Sequence, residues 1–478
     1  MRVQGWTSAC NGFALLPQKK GATIEEEVES MKKIVSLLLT LVMVLGLVPA
    51  MADEADVLAI TEEEITLTYA TKGEDLDLTY ALIDNFNEKY PNITVEVLEL
   101  DPTNLSTALG NLAAEKKLPD VFWVDSVTDA VANEWALRLD DYFAADPDAA
   151  KIGSGIMKLM QIGGRRYSVP AQSRPKIMVV NKTLFETYNV ELPEYDWDFD
   201  EFVAVAEAVA HPENYHFGYG HLFGHTYIMP SYGWDGESYA FGEDWLKIEE
   251  LAVDWTNRKV SESMTSEEKQ NVFGDGGAWA FNEGYAATQI HSFGYDAEGF
   301  MDGTRAAATG SEYLIYPVPT VQGYVLDDMI FACVNRATQY PNEAWLLAKW
   351  MTWGKEATMF RDTWFNENEV VQNSMPMIDD EEVKANAIEM ADDALKMFFT
   401  YCGPSIPDPG SHAPNMVWCN VDWWFSNLQT KFANGELVPA DYQATLVEKY
   451  NKNRDDWFNS CSDFATATDL DITTTDAE

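Results

Sequence analysis

The stretch of sequence that decides the fold is residues 65–100, ITLTYATKGEDLDLTYALIDNFNEKYPNITVEVLEL. Ile65 to Tyr69 alternates apolar and polar residues, which is typical of a β-strand with one buried face. From Asp77 to Tyr90 apolar residues recur at helical spacing, and Pro91-Asn92 ends that helix. Ile93 to Leu100 alternates again. A strand, a helix and a second strand in this order predict a parallel sheet.

The same alternation of strands and helices continues through most of the chain, with a glycine-rich hairpin turn at 163–170 and a long aromatic loop at 211–245. The sequence contains no internal repeat of fixed period. The further predicted strands are Val121–Val124, Ile177–Val180, Tyr313–Tyr316 and Met329–Val334, and the further predicted helices are Leu105–Lys117, Val131–Leu139, Pro193–Ala210, one within Ser261–Phe281, Ala344–Trp353, Asp379–Phe399, Val421–Ala433 and Ala440–Trp457.

Composition sets the outer limits of what the chain can be. Its 478 residues are 46% hydrophobic and 13% aromatic, which is enough apolar material for a large core and for two or three domains. Asp and Glu number 78 against 32 Lys and Arg, so the formal net charge is −46. Nucleic acids and anionic membrane surfaces attract positive proteins, so this charge argues against both as partners.

Residues 31–52, MKKIVSLLLTLVMVLGLVPAMA, have the composition of a signal peptide. Two lysines precede an apolar stretch, and Ala50-Met51-Ala52 fits the small-x-small pattern of a cleavage site. The alternative is a membrane anchor, but the apolar stretch from Ile34 to Val48 is shorter than the roughly 20 residues that a bilayer needs. We therefore predict an exported, soluble protein.

The flanks of the signal peptide carry two further expectations. Asp53, and not a cysteine, follows the cleavage site, so we expect no lipid anchor. Residues 1–30 precede a segment that should begin a protein, and we interpret them as a mis-translated leader. Residues 53–64 are acidic and read as a flexible lead-in.

Four cysteines lie beyond the signal peptide, namely Cys333, Cys402, Cys419 and Cys461. Export permits disulfides, and four cysteines allow three full connectivities, among which the sequence does not choose. Cys402 with Cys419 would close a loop rich in Pro and Gly, and free buried thiols are the alternative. The absence of any CxxC motif argues against a zinc ribbon or a redox motif.

Eight short segments give the chain a resemblance to a known family. In chain order they are IDNFNEKYPNI (83–93), LPDVF (118–122), YSVP (167–170), VNKTLF (180–185), LPEYDWDFDEF (192–202), AFNEGYAA (280–287), YPVP (316–319) and YPNEA (340–344). Their order resembles that of the extracellular solute-binding proteins of ABC importers, in the sugar-binding family that includes maltose-binding proteins. The resemblance spans most of residues 65–457.

The resemblance implies an α/β fold of the type II periplasmic-binding-protein kind, with two α/β lobes around a ligand cleft and a multi-strand hinge. The chain would cross between lobes near residues 170, 320 and 367. Lobe one would comprise 65–170 and 321–366, and lobe two 171–320 and 367–478. Closure around the ligand would be a hinge motion.

The function that the resemblance implies is capture of a sugar or oligosaccharide and its delivery to the permease subunits of an ABC importer. The protein would act outside the cell as a monomer, without a cofactor and without nucleic acid. A binding protein for another polar solute is the alternative within the same family.

Sugars present C–H patches that aromatic faces cover and hydroxyls that carboxylates, amides and Arg hold. Side chains of these kinds on loops after strands are therefore candidates for the cleft. Trp123 could instead be a core residue, and Arg174 could instead form an ion pair in the hinge. Phe293 stands where relatives often carry Trp. The full candidate set is Trp123, Asp125, Gln172, Arg174, Tyr227, Tyr232, Trp234, Asp235, His291, Phe293, Tyr295, Trp418, Asp422 and Trp423.

Two other classes of function were weighed. A glycosidase needs two carboxylates that flank the scissile bond, but no acidic pair stands out, and the GxSxG, HExxH and P-loop motifs of other enzymes are absent from the sequence. A metal site could use the histidines between 211 and 225, yet the glycines between His221 and its neighbours disfavour the helix that an HxxxH pair would need. Neither class is our prediction.

Overall fold

The computed structural model describes residues 57–71, 76–221, 223–224, 228–229, 233–293, 298–391, 393–414 and 428–465. Several predictions lie outside these residues: the leader at 1–30, the signal peptide at 31–52, the start of the acidic lead-in, Cys419, and the first part of the predicted helix 421–433. Within the described residues, no helix is long and apolar enough to cross a membrane.

All six strands predicted from the sequence are present. Strands and helices alternate over residues 65–132, and consecutive strands and consecutive helices occur further along the chain. The strands are β1 (Ile65–Thr71), β2 (Ile93–Glu99), β3 (Val121–Val124), β4 (Val169–Gln172), β5 (Lys176–Asn181), β6 (Phe217–Tyr219), β7 (Ala286–Ser292), β8 (Tyr313–Pro317), β9 (Val325–Asp327), β10 (Ile330–Val334) and β11 (Ser405–Pro407). The helices are α1 (Leu76–Lys89), α2 (Leu105–Ala114), α3 (Val127–Ala132), α4 (Asp140–Ala145), α5 (Ser154–Leu159), α6 (Lys182–Thr187), α7 (Phe199–Val209), α8 (Glu243–Arg258), α9 (Ser266–Phe273), α10 (Glu298–Met301), α11 (Thr304–Thr309), α12 (Pro341–Met351), α13 (Lys355–Glu367), α14 (Glu381–Met390), α15 (Asp393–Tyr401), α16 (Pro409–His412), α17 (Leu428–Ala433), α18 (Pro439–Ser460) and α19 (Ser462–Ala465).

The first sheet has the order β2-β1-β3-β10-β4. β1 runs parallel to β2, with Ile65 opposite Ile93, and parallel to β3. β10 is antiparallel to both of its neighbours, β3 and β4. The parallel pairing predicted from residues 65–100 is confirmed, and the late strand β10 makes the sheet mixed.

The second sheet has the order β6-β7-β5-β8, with β5 antiparallel to both β7 and β8. All six residues of β5 are buried. Because side chains alternate across a strand, Met178 and Val180 pack into one apolar cluster with α7 and α8, whereas Ile177 and Val179 pack into another with α15. A strand covered on both faces explains the uninterrupted apolar run in the sequence.

Local signals set where several elements start and stop. α7 begins with a capping box, in which Asp198 accepts from the Glu201 N–H and Glu201 accepts from the Asp198 N–H. The predicted start at Pro193 was therefore wrong by about two turns, because the cap and not the proline sets the first helical residue. The hairpin turn at Gly163-Gly164 is confirmed, with both glycines at positive φ.

Two other helix predictions need correction. The helix predicted at 131–139 lies instead at Val127–Ala132, because Ser126 caps its start through the Asp129 N–H at 3.1 Å. The helix predicted at 379–399 is two helices, α14 and α15, because α14 ends before Ala391, whose backbone is extended. At 379–399 only the boundaries were wrong, whereas at 131–139 the prediction overlaps the observed helix by only two residues.

The two sheets are joined by segments that lie side by side. Residues 173–175 connect β4 of the first sheet to β5 of the second, and residues 325–329 lead into β10 of the first sheet. Met375 bridges to Ser173, Pro175 bridges to Asp327, and β9 pairs in parallel with β11. We call residues 173–175, 325–328, 373–375 and 405–408 the hinge ribbon. The lobe boundaries given above stay a prediction.

Helix α18 contacts the apolar cores of both lobes. Its 22 residues extend about 33 Å at 1.5 Å per residue. Leu446 and Tyr450 pack into the core of the second lobe, whereas Trp457 packs into the core of the first. Beyond its end, the Asp463 carboxylate accepts from the Tyr167 hydroxyl at 3.1 Å. Helix α18 is thus fixed to both lobes.

Candidate functional site

The carboxyl ends of three strands meet at one edge of the first sheet, beside the hinge ribbon. β1 and β3 run in the same direction, and β4 shares it because both β3 and β4 are antiparallel to β10. Asp125 follows β3, and Gln172 ends β4. Ligands of open α/β sheets bind at this kind of edge, so its side chains form the candidate site.

Trp123 and Asp125 occupy this edge in different ways. Trp123 is partly buried against the apolar core of the first lobe, and its indole N–H donates to the hydroxyl of Tyr69 on the neighbouring strand β1. Burial raises the pKa of the Tyr69 hydroxyl above its ordinary value, so Tyr69 stays neutral and fixes the orientation of the tryptophan ring. Asp125 is exposed to solvent. The pair combines a fixed aromatic ring with an accessible carboxylate.

Gln172 and Arg174 belong to a hydrogen-bonded chain through the hinge ribbon, and both side chains are buried. Arg174 Nη2 donates to Gln172 Oε1 at 2.7 Å. Gln172 Nε2 donates in turn to Asn373 Oδ1 at 3.0 Å. Two crossing segments are therefore linked by side chains that also carry the donor and acceptor types that sugar hydroxyls need.

Asp327 lies at the centre of the hinge ribbon and was missed in the sequence. Its carboxylate accepts from Ser173 Oγ at 2.5 Å, from the Arg174 N–H at 2.6 Å and from Ser405 Oγ at 3.0 Å. Burial nevertheless raises its pKa to about 7, because desolvation outweighs the three hydrogen bonds. A signal was present: the acidic pair 327–328 interrupts an apolar run between two short strands.

Lys176, Ser292 and Asp328 form a second polar cluster where the sheets face each other. Lys176 Nζ donates to the Asp328 carboxylate and to Ser292 Oγ, the latter at 2.6 Å. Ser292 Oγ also donates to Asp328 at 2.6 Å. Lys176 and Ser292 belong to the second sheet, whereas Asp328 leads into β10 of the first. This cluster was likewise absent from the predicted site.

His291 and Phe293 contribute to the apolar core of the second lobe in this structure. Phe293 is fully buried, with its ring centroid 5.9 Å from both Phe398 and Phe399. His291 packs 4.8 Å from Phe300, and burial lowers the pKa of its imidazole to about 3. Their packing favours a role in stability, and their role as ligand contacts stays a prediction.

Trp234 and Asp235 lie apart from the candidate site. They line a cavity of about 750 Å³ together with Lys158, Gln322 and Tyr324, and neither Asp125 nor Gln172 borders it. The ring of Trp234 packs 4.8 Å from Tyr239. Asp235 accepts the backbone N–H groups of Glu237 and Ser238 at 2.9 and 2.7 Å, which holds a turn together. The structure does not bring this pair together with the hinge edge.

The remaining candidates, Tyr227, Tyr232, Tyr295, Trp418, Asp422 and Trp423, lie outside the described residues. Of the histidines, His211 stacks on Tyr188 at 3.8 Å, and His216 Nδ1 is hydrogen-bonded to the Tyr188 hydroxyl at 2.6 Å. Across the part of the chain that is described, no group of three or more His, Cys, Asp or Glu is placed to hold a metal ion. Cys333, Cys402 and Cys461 carry free thiols.

Comparison of the sequence with family models gives one match, to "Bacterial extracellular solute-binding protein", over residues 70–352. Curated proteins give no match. The match begins at the end of β1 and continues through β10 and all of α12, and so includes the first two crossings between the sheets.

Solved structures share the fold at low sequence identity. The sugar-binding protein MalE from Xanthomonas citri is 14% identical, with a TM-score of 0.61 over 82% of this chain and 98% of its own. The cyclic alpha-maltosyl-1,6-maltose binding protein from Arthrobacter globiformis is 17% identical, with a TM-score of 0.61 over 83% and 100%. An ABC substrate-binding protein from Listeria monocytogenes, in complex with cycloalternan, is 16% identical, with a TM-score of 0.53 over 82% and 99%. The predicted two-lobed α/β fold is confirmed, and both of its sheets are mixed.

Proposed function

This chain belongs to the bacterial extracellular solute-binding proteins, and from that membership we propose that it captures a sugar or oligosaccharide and delivers it to the permease of an ABC importer. Members of the family are binding proteins and not enzymes. We further propose that the signal peptide at 31–52 directs export and that the protein is released without a lipid anchor, since Asp53 follows the cleavage site.

The observation that carries the sugar proposal is the pairing of a fixed aromatic ring with an exposed carboxylate at the hinge edge. Trp123, held by Tyr69, offers a face for the C–H patch of a pyranose ring. Asp125, two residues further along the chain, offers acceptors for the adjacent hydroxyls. The similar structures from Xanthomonas citri and Arthrobacter globiformis, which are named for sugar or maltose-type ligands, support the same class.

We propose Gln172 and Arg174 as the hinge-side half of the site. Their hydrogen-bonded chain to Asn373 lies on the crossing segments, where a ligand between two closing lobes is contacted by both. A ligand hydroxyl that joined this chain would bind more strongly in the closed arrangement than in the open one. That difference in affinity is what drives closure of a hinged protein.

A thermal-shift screen against monosaccharides and oligosaccharides tests the proposal. A ligand that binds only the native state raises the melting temperature in proportion to the logarithm of its concentration above Kd. We expect at least one sugar to raise it. Amino acids, short peptides and polyols form the second arm, so that a shift confined to that arm would assign the protein to another polar solute. Absence of any shift in the sugar arm would overturn the sugar proposal.

Variants then locate the site of any sugar that binds. Trp123→Ala should weaken binding about tenfold or more, since the loss of a stacking face is worth at least about 1.4 kcal/mol. Trp279→Ala is the matched control, because Trp279 is a 47% exposed indole of the second lobe that was never a candidate. Equal affinity in wild type, Trp123→Ala and Trp279→Ala would remove Trp123 from the site.

A further inference from the structure

We propose that Asp327 is a positioning residue that sets the angle between the two lobes, and that its carboxyl group makes this angle respond to pH. The proposal adds regulation by pH to the proposed binding function. It rests on that function only in taking lobe closure to be the step that captures the ligand. Its structural basis is independent of which ligand binds.

The geometry around Asp327 joins separate parts of the hinge ribbon through a single side chain. Ser173 Oγ and the Arg174 N–H reach it from the segment between β4 and β5. Ser405 Oγ reaches it from β11. The backbone carbonyl of Asp327 also accepts the Asp408 N–H at 2.9 Å. Rotation of one lobe against the other changes the relative positions of these segments, and so must change the contacts of Asp327.

The charge of this carboxyl group is sensitive to its contacts because the group is fully buried. Its three donors are two hydroxyls and one backbone N–H, which stabilise a carboxylate less than a cation at contact distance would. Desolvation raises its pKa to about 7, within the range of ordinary conditions. A modest change in solvation therefore changes the ionised fraction.

The other titratable groups around Asp327 modify this behaviour without replacing it. Asp328, next in the chain, raises the pKa of Asp327, but its own carboxylate is paired with Lys176. Arg174 directs Nη2 to Gln172. The thiol of Cys402 has its pKa raised by burial and by the charge of Asp327, so it remains protonated through neutral pH.

The direction of the pH response follows from burial. Below about pH 7 Asp327 is neutral and fits its buried position, whereas above it the ionised group favours any lobe arrangement that brings it closer to water. Raising the pH therefore shifts the population away from the arrangement described here. If the pKa of Asp327 differs by one unit between the two lobe arrangements, the ratio of their populations changes about tenfold across the transition.

Interlobe distances in the ligand-free protein test this proposal. Nitroxide labels on unnatural residues at Lys117 of the first lobe and Glu267 of the second, both exposed, report the distance by double electron–electron resonance. Between pH 5.5 and 8.5 we expect the ratio of the two arrangements to change about threefold or more, which corresponds to half a pKa unit. The midpoint should lie near pH 7. A distance distribution that does not change with pH would overturn the proposal.

Two sets of variants assign the transition to Asp327. Asp327→Asn cannot ionise, so its distances should be independent of pH. The matched control is Asp362→Asn, because Asp362 is a buried acid whose pKa is also raised, to about 6, by burial in the first lobe, outside the hinge ribbon. This control should keep the wild-type transition. An unchanged transition in Asp327→Asn would contradict the proposal.

A variant that keeps the carboxyl group covers the case in which Asp327→Asn fails to fold. Ser405→Ala removes one hydroxyl donor to the ionised form, so the midpoint should move to higher pH. An unmoved midpoint would show that another group titrates. Because no ligand is present, a negative result here leaves the sugar proposal intact, and a negative sugar screen leaves these distances interpretable.

Discussion

The two sheets meet at the hinge with edges of different character. At the edge of the first sheet, Trp123, Asp125 and Gln172 are an oriented ring, an exposed carboxylate and a hydrogen-bonded amide. At the corresponding edge of the second sheet, Lys176 and Ser292 belong to a polar cluster with Asp328. His291 and Phe293, by contrast, turn into an apolar core. The position of a residue at the end of a strand therefore identifies a candidate, but the side of the sheet that it faces decides between binding and packing.

The largest expected effect tests the packing side of this contrast. Phe293→Ala should lower the free energy of unfolding by about 3–5 kcal/mol, as for other buried phenylalanines. The reason is the cavity left beside Phe398 and Phe399. Urea denaturation measures it. A loss below about 1 kcal/mol, together with weaker ligand binding, would show that Phe293 faces the cleft.

The second prediction tests the binding side. With a sugar identified, Arg174→Ala should weaken binding by about 2–3 kcal/mol, since a buried hydrogen-bond network loses its charged donor. Calorimetric titration measures the affinity. Arg165→Ala is the control, because Arg165 lies in the hairpin turn, outside the hinge ribbon, and donates to the Asp463 carbonyl. Equal affinities for the two variants would remove Arg174 from the site.

The third prediction uses pH to distinguish the contribution of His291 to stability from that of Asp327. The pKa of His291 is lowered to about 3, below its ordinary value of 6.5, so its contribution to stability is present above pH 6.5 and is lost as the pH falls toward 3. The pKa of Asp327 is raised to about 7, so its contribution is present below pH 4 and is lost as the pH rises toward 7. The two groups therefore change the dependence of stability on pH in opposite directions.

Melting temperatures of His291→Phe and Asp327→Asn across pH 4–8 separate these contributions. His291→Phe should lose less stability than wild type between pH 7 and pH 4, whereas Asp327→Asn should lose less between pH 5 and pH 8. Parallel profiles for both variants and wild type would show that neither group is perturbed as its burial implies.

The smallest expected effect concerns the pair set apart from the hinge edge. Asp235→Ala should cost about 1 kcal/mol or less, because an exposed carboxylate that holds a turn contributes roughly one net hydrogen bond. Sugar affinity should remain unchanged. A tenfold loss of affinity without loss of stability would place the cavity beside Trp234 within the ligand site.

Much of the fold could be predicted from local patterns in the sequence. The alternation from Ile65 to Tyr69 and the helical spacing after Asp77 gave a parallel unit, and the pairing of β1 with β2 confirms it. The predicted helix starts at Pro193 and Val131 were wrong, because side chains that cap a helix, Asp198 and Ser126, determine its first residue.

The site was harder to predict, because it depends on contacts between distant segments. Trp123 and Gln172 are recognisable from their place after or within a strand. Asp327 also ends a short strand, β9, but its role follows from Ser173 and Ser405, which lie far from it in the sequence. The direction of Phe293 depends equally on α15, which comes about one hundred residues later in the chain.

The C-terminal helix α18 has a consequence for how this protein is made. Trp457, near the end of the described chain, completes the same core as Leu67, near its beginning. The first lobe therefore cannot finish folding until the chain has been synthesised at least as far as Trp457, and contacts of such long range form slowly. A chain that stays unfolded for this period is still able to pass through a translocation channel as an extended thread, so the position of one helix agrees with the export proposed above.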